Sequence, residues 1–140
     1  MQNPPPVQTT TKSSTGLDEN VAALLSYVFG WLSGLIFFLI EKDSRLVRFH
    51  AMQSILFNVL FGILAFVVWI ITFVFVFMGA AMGDSAGALF GLFSLLATLF
   101  WVVFVVAILI GWILCLVKAF QGQYFKLPVI GNFAEKFSTK

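Results

Sequence analysis

The sequence predicts an all-α membrane protein with three transmembrane helices, the second and third over-long, and a C-terminal segment lying in the membrane interface. Hydrophobic residues make up 61% of the 140 and charged residues 10%, whereas soluble domains carry about a quarter charged. Charges are absent from Phe49 to Gly83 and again from Ser85 to Val117, and each gap exceeds the ~20 residues that cross ~30 Å of hydrocarbon. The basic residues gather at the ends of these runs rather than along one face, so they read as membrane anchors and exclude a nucleic-acid surface.

Residues 1–16 are rich in Pro, Gln, Thr and Ser, with Pro4, Pro5 and Pro6 in a row, and predict a disordered polar tail. With Lys12 as its one cation and no apolar run before Val21, the tail does not read as a signal peptide. Residues 17–137 then form a single membrane domain. Thr15 and Asp18 predict an N-cap, with Asp18 and Glu19 at the positive end of the helix dipole. The first span, about 21–40, reaches about 30 Å and matches a bilayer. It ends at Glu41-Lys42-Asp43-Ser44-Arg45.

The second span, about 51–78, and the third, about 88–117, measure about 42 and 45 Å, which would need a tilt of about 45°, beyond the usual range. Their outer ends, near Ile71 to Met78 and Ala88 to Leu96, are therefore expected to kink, protrude or lie in the interface. Trp69, about 27 Å from Ala51, suits an outer aromatic belt. Asp84 divides residues 71–97 into pieces too short for a further crossing.

Three spans place the amino tail and the 79–87 turn on one side, with Lys12 alone. The 41–50 loop and the tail 118–137 share the other with Lys42, Arg45, Arg48, Lys118, Lys126, Lys136 and Lys140. The positive-inside rule makes the second side cytoplasmic and the N-terminus external.

Spans associate through close backbone approach and polar contacts, because lipid is as apolar as leucine. Ala22, Ser26, Gly30 and Gly34 recur every four residues in span one, Ala107, Gly111, Cys115 and Ala119 in span three, and Gly79, Gly83, Gly87 and Gly91 around the turn. Span two carries a polar stripe, His50, Ser54 and Asn58, flanked by Gln53. Ser26, Gly30, Gly34, Ser54, Asn58 and Gly111 are the expected intramembrane packing residues. A stripe of this kind also suits a polar path, although it holds no carboxylate to relay protons.

Gly83-Asp84-Ser85-Ala86-Gly87 matches the G-x-S-x-G nucleophile pattern, but that chemistry needs a preceding strand and a nearby histidine; the chain's one histidine, His50, is expected across the bilayer. One histidine and one cysteine do not make a zinc site, and no phosphate loop or dinucleotide fingerprint occurs. No catalytic, metal or cofactor site is expected. Arg45, Arg48, His50, Gln53, Lys118, Tyr124 and Lys126 form the candidate cytoplasmic contact for lipid or a partner, where anionic headgroups are attracted by about 1 kcal/mol per cation. Phe133 and Phe137, four apart, suit a short helix docked on the membrane.

The stretches Leu17-Asp18-Glu19-Asn20-Val21-Ala22, Arg48-Phe49-His50-Ala51-Met52-Gln53-Ser54 and Lys126-Leu127-Pro128-Val129-Ile130-Gly131 resemble a group of small prokaryotic multi-pass membrane proteins of unknown function. That group is classed with the Tic-like import component of the chloroplast inner envelope. The resemblance covers roughly residues 16–137 and implies a translocation-related or assembly role without catalytic residues. The function expected is thus that of a non-enzymatic accessory or assembly subunit of the cell membrane, contacting lipid and either other membrane proteins or its own copies. A small transporter or channel using the stripe on span two is the alternative.

Overall fold

A computed structural model describes residues 11–139 of the chain, with the side chains of Asp84 and Ser85 left aside. The elements are α1 (Glu19–Val28), α2 (Trp31–Ile40), α3 (Arg45–Ala81), α4 (Asp84–Phe120) and α5 (Ile130–Ser138). They form two compact units, one built from residues up to Phe57 together with those from Leu114 onward, the other from Asn58–Ile113. Residues α3 and α4 are long and apolar enough to cross a membrane, while α2 is apolar but short.

In the first unit the expected single helix over 21–40 is two ten-residue helices, each about 15 Å long and half of what a crossing requires. Gly30 causes the break. Its φ of 61° and ψ of −134° lie where a Cβ is not tolerated. Serines satisfy the main chain that the break frees. Phe29 N–H donates to Ser33 Oγ at 3.1 Å, Ser33 Oγ in turn lies 3.0 Å from Ser26 O, and the Ser54 hydroxyl donates to Gly30 O at 3.0 Å.

After the break the chain doubles back. Ser13 N–H donates to Leu17 O at 2.8 Å, and the N–H of Ser14 donates to the Glu41 carboxylate at 3.0 Å. Bond lengths along that path hold the Cα atoms of Leu17 and Glu41 within about 15 Å, whereas a straight helix would part them by about 36 Å. Helices α1 and α2 are therefore a hairpin.

The disordered tail expected over 1–16 does not hold from residue 11. There the main chains of Lys12 and Asp18 form an isolated antiparallel β-bridge and Ser13 is buried, while Glu41 supplies acceptors to Ser14; residues 1–10 lie outside those described. Asp18 is the N-cap of α1, but its side chain makes no capping bond.

Ser44 starts α3, accepting Val47 N–H on its hydroxyl at 3.3 Å. At the other end of the unit, Val129 precedes α5 with φ 68°, and Ile130 N–H donates to Pro128 O at 2.8 Å. This is a γ-turn of the strained hand, held by a β-branched residue.

The second unit consists of α3 and α4 residues alone. Among its half-buried positions are Phe61, Ala65, Val68, Thr72, Phe75 and Gly79 on α3 and Phe90, Ser94, Ala97, Trp101, Phe104 and Ile108 on α4. They alternate by three and four, the 3.5-residue period of a left-handed coiled pair. Phe61 meets Phe104 and Phe75 meets Phe90, with ring centroids 5.9 and 5.8 Å apart. Thr72, Ser94 and Thr98 hydrogen-bond the carbonyls four residues back, at 2.8–2.9 Å, which keeps their hydroxyls satisfied in hydrocarbon.

Both long helices have 37 residues, about 55 Å, and run unbroken through 71–78 and 88–96. No break in either helix accompanies the kink, protrusion or interfacial course expected of those stretches. Ordinary helix bonding continues to a turn of two residues, Met82 and Gly83 (φ 75°). Of the turn's glycine ladder, a Cβ on Gly79 would meet Phe90 Cβ at 2.8 Å and one on Gly87 would meet Gly79 O at 3.0 Å, but those on Gly83 and Gly91 would meet nothing. Close approach thus uses two of the four glycines.

Candidate functional site

Helix α3 begins with a face of alternating function. Phe49, His50, Gln53, Ser54 and Phe57 are all buried, and the polar ones grip three other segments of the first unit. His50 Nε2 lies 3.0 Å from Gln123 O. Because a carbonyl can only accept, Nε2 is assigned the proton and Nδ1 the lone pair. Tyr27, on α1, then donates its hydroxyl to Nδ1 at 3.1 Å. Gln53 points its amide hydrogens at Phe125 O (3.1 Å) and Tyr27 Oη (3.2 Å), with Cys115 Sγ alongside at 3.5 Å. Its Oε1 is buried and finds no partner among the described residues.

The cluster has a defined packing frame. His50 stands edge-on to Tyr27 (centroids 5.7 Å) and to Phe49 (5.1 Å), and Phe49 contacts Tyr124 at 5.4 Å. Gly34 of α2 lies so close to α3 that an added Cβ would sit 2.8 Å from Ala51 O. Chemically the arrangement is a clasp: one turn and a half of α3 binds α1 through the Tyr27 hydroxyl, and the hairpin break and the segment after α4 through main-chain carbonyls.

A second knot lies at Glu41, which is fully buried. Its carboxylate accepts from Ser14 N–H, Ser14 Oγ (2.7 Å), Asp43 N–H (3.1 Å) and Ser44 N–H (2.9 Å). Burial raises the pKa, but the N–H donors of Ser44 and Ser14, the Ser14 hydroxyl and Asp43 N–H outweigh it, holding the group below its ordinary 4.5. A lowered folded pKa stabilises above the unfolded value and loses that contribution as pH falls through the folded one. Unfolding followed against pH in detergent is expected to be insensitive to Glu41 above about 4.5 and to weaken below it. Glu41→Gln should flatten that acid slope and cost about 2 kcal/mol at neutral pH.

Several expected contact residues are placed differently from expectation. His50 and Gln53 are not at a lipid or partner surface; both have 0% exposure, because unpaired main-chain carbonyls draw them inward. Arg48 is half-buried and already engaged: Nη1 donates to Glu41 O (2.9 Å), Nε to Ser138 O (3.2 Å), and the guanidinium lies 4.6 Å from the Phe38 ring centre. Arg45 and Tyr124 are exposed. Lys118 bonds Gln123 Oε1 at 3.0 Å, and Lys126 pairs with Glu135 of α5 at 2.7 Å.

Among the packing residues, Ser26 and Gly34 are buried, Ser54 binds Gly30 O, and Asn58 and Gly111 are half-buried. Span one's ladder is not one groove, since the break at Gly30 puts Ser26 and Gly34 on different helices. Ser85 opens α4 directly after α3 and its turn; its side chain lies outside those described. Sequence reasoning missed Tyr27, Ser33 and Glu41. Their signal was faint: polar atoms within or at the end of an otherwise apolar run, each needing a distant main-chain partner.

The model of a family described as magnetosome magnetite crystal formation proteins, MamF/MmsF, matches residues 16–134. The chain belongs to this family. Two UPF0132 membrane proteins of Methanocaldococcus jannaschii are 39% identical over 132 residues, covering 91% of this chain and 94% of the relative, and 34% identical over 122 residues, covering 87% and 71%. A UPF0132 membrane protein of Archaeoglobus fulgidus is 32% identical over 127 residues, covering 86% and 95%. No solved structure matches. The MamF/MmsF match takes in α1 to α4 and the start of α5, and so includes the clasp and Glu41 but not its partner Ser14.

Proposed function

We propose that this MamF/MmsF-family chain is a non-enzymatic, multi-pass assembly component of the cell membrane, crossing the bilayer twice with α3 and α4 and dipping into one leaflet with the α1–α2 hairpin. The hairpin supports two crossings rather than three, since its ends, Leu17 and Glu41, are tied together through Ser13 and Ser14. With two crossings both termini share a side, and all eight Lys and Arg residues (12, 42, 45, 48, 118, 126, 136 and 140) fall there, against none between Ala81 and Gly87. That side is cytoplasmic by the positive-inside rule. The external N-terminus of the three-span reading is replaced accordingly.

One observation carries the assembly reading. The polar groups fit for chemistry or for lining a path, His50, Gln53, Ser54 and Tyr27, are fully buried and used to fasten segments of the chain. Solute passage along span two, the second reading, would need that stripe open. The family's printed role in crystal formation fits this reading as a contribution to membrane architecture. The Tic-like resemblance extends the reading towards translocation machinery.

Single cysteines test the topology. Those at Thr15 and Thr139 are expected to resist an impermeant maleimide in intact cells, and one at Met82 to react; reaction at Thr15 with protection at Thr139 restores three crossings. Crosslinking in native membranes tests assembly, which fails if the chain remains strictly monomeric with no neighbours captured.

A further inference from the structure

The hairpin has the depth of a single leaflet. Each of its helices is ten residues, about 15 Å, against about 15 Å for half of the hydrocarbon core. Contacts with α3 mark its extent. Its end is held at Arg48, which bonds Glu41 O. Its middle lies at Ala51, where Gly34 approaches, and its tip at Ser54, which bonds Gly30 O.

The outer face of the hairpin asks for hydrocarbon. Trp31, Leu35, Ile36 and Leu39 are exposed, Leu39 to 66%, and no charge occurs from Val21 to Ile40. A surface of that kind is not left in water. The same chain points to the solvent it needs, because α3, on which the hairpin is packed, is itself long and apolar enough to cross a membrane. The occupant of this face is therefore the acyl chains of the cytoplasmic leaflet.

We infer that the hairpin is a one-leaflet wedge, which makes the protein prefer membrane that curves towards the cytoplasm and bulges on the hairpin's side. This rests on the two-crossing reading. Two added helices, each about 10 Å across, place on the order of 160 Å² of extra cross-section in one leaflet and none in the other. A flat bilayer must absorb that mismatch as strain. A bilayer convex on the hairpin's side has the extra area already, as for other shallow apolar insertions that respond to curvature.

The test uses full-length protein in giant vesicles of phosphatidylcholine and phosphatidylglycerol, with narrow tubes pulled outwards. An impermeant dye on Thr139→Cys marks molecules whose termini face out; the dye on Met82→Cys marks those of opposite orientation. The first population is expected to be enriched in the tube over the flat membrane by about threefold, and the second depleted. Equal ratios for the two orientations overturn the wedge. Thr15 and Thr139 labelled on opposite faces of the same vesicles would instead overturn the two-crossing reading.

A variant with Leu35, Ile36 and Leu39 changed to serine should bring the tube ratio towards one with helicity retained, and an undiminished ratio in a folded variant also overturns the proposal. Should that variant not fold, the opposite behaviour of the two orientations in the otherwise unaltered chain still decides.

Discussion

Gly34→Val is expected to unseat α2 from α3 and to cost about 3 kcal/mol or more. A Cβ at Gly34 would lie 2.8 Å from Ala51 O, 3.1 Å from Ile55 Cγ1 and 3.2 Å from Ser54 Cβ. The first of these is main chain in the middle of a helix, so it cannot swing away, and the helices must separate. Separation also breaks the Ser54 Oγ–Gly30 O bond, at about 1 kcal/mol, while Gly30 O keeps its bonds from Gly34 N–H and Ser33 Oγ. Gly62→Ala is the control. Nothing lies within 4 Å of its added Cβ, and helix propensity favours alanine by up to about 1 kcal/mol. Thermal unfolding in detergent should therefore separate two glycines of the same membrane protein by several degrees in opposite directions, and equal midpoints would refute the close approach.

The second large effect is expected at His50. Alanine there removes the imidazole's bonds to the Tyr27 hydroxyl and Gln123 O, at about 1–3 kcal/mol for two hydrogen bonds, although Gln53 Nε2 and Phe125 N–H remain on those oxygens at 3.2 and 2.9 Å. It also frees the segment after α4, since Gln123 loses its tie to α3. Tyr27→Phe removes the hydroxyl that bonds His50 Nδ1 and Gln53 Nε2 but keeps the ring, and should cost about 1–2 kcal/mol. The double variant is expected to be less unstable than the sum of the two, because both remove the same bond. Additive losses from the two changes would mean that the Tyr27–His50 bond contributes nothing. Limited proteolysis between Gln121 and Lys126 provides an independent measure, with faster cleavage expected in His50→Ala than in Tyr27→Phe.

The long helices were legible because two charge-free runs admit little else, and the polar face of α3 was legible from the four-residue spacing of His50 and Ser54. The partners of that face were not. Gly30 O, Gln123 O and Phe125 O are main-chain acceptors, which exist at every residue and carry no signature of their own. The hairpin was hidden for a related reason. A run from Val21 to Ile40 has the length and apolarity of a span, and length cannot distinguish one crossing from an entry and a return. What decides is Gly30 in a conformation closed to other residues, with Ser33 and Ser54 ready to receive the freed main chain. Ser54 lies 24 positions along the chain, beyond any local pattern. Arg48 and Gln53 were misplaced because cations and amides near a membrane edge ordinarily face headgroups, and the acceptors that capture them here come from residues 41, 125 and 138.

The bond from Ser54 to Gly30 also bears on biogenesis. When residues up to 40 emerge from the ribosome, the Ser54 hydroxyl that completes the hairpin's tip is still inside the exit tunnel, and so are His50 and Gln53. Hydrocarbon is a poor place to wait with main-chain groups unpaired. The hairpin is thus a late arrival despite being first in the chain: α3 must be in place before α1 and α2 can settle beside it. The order of insertion runs against the order of synthesis.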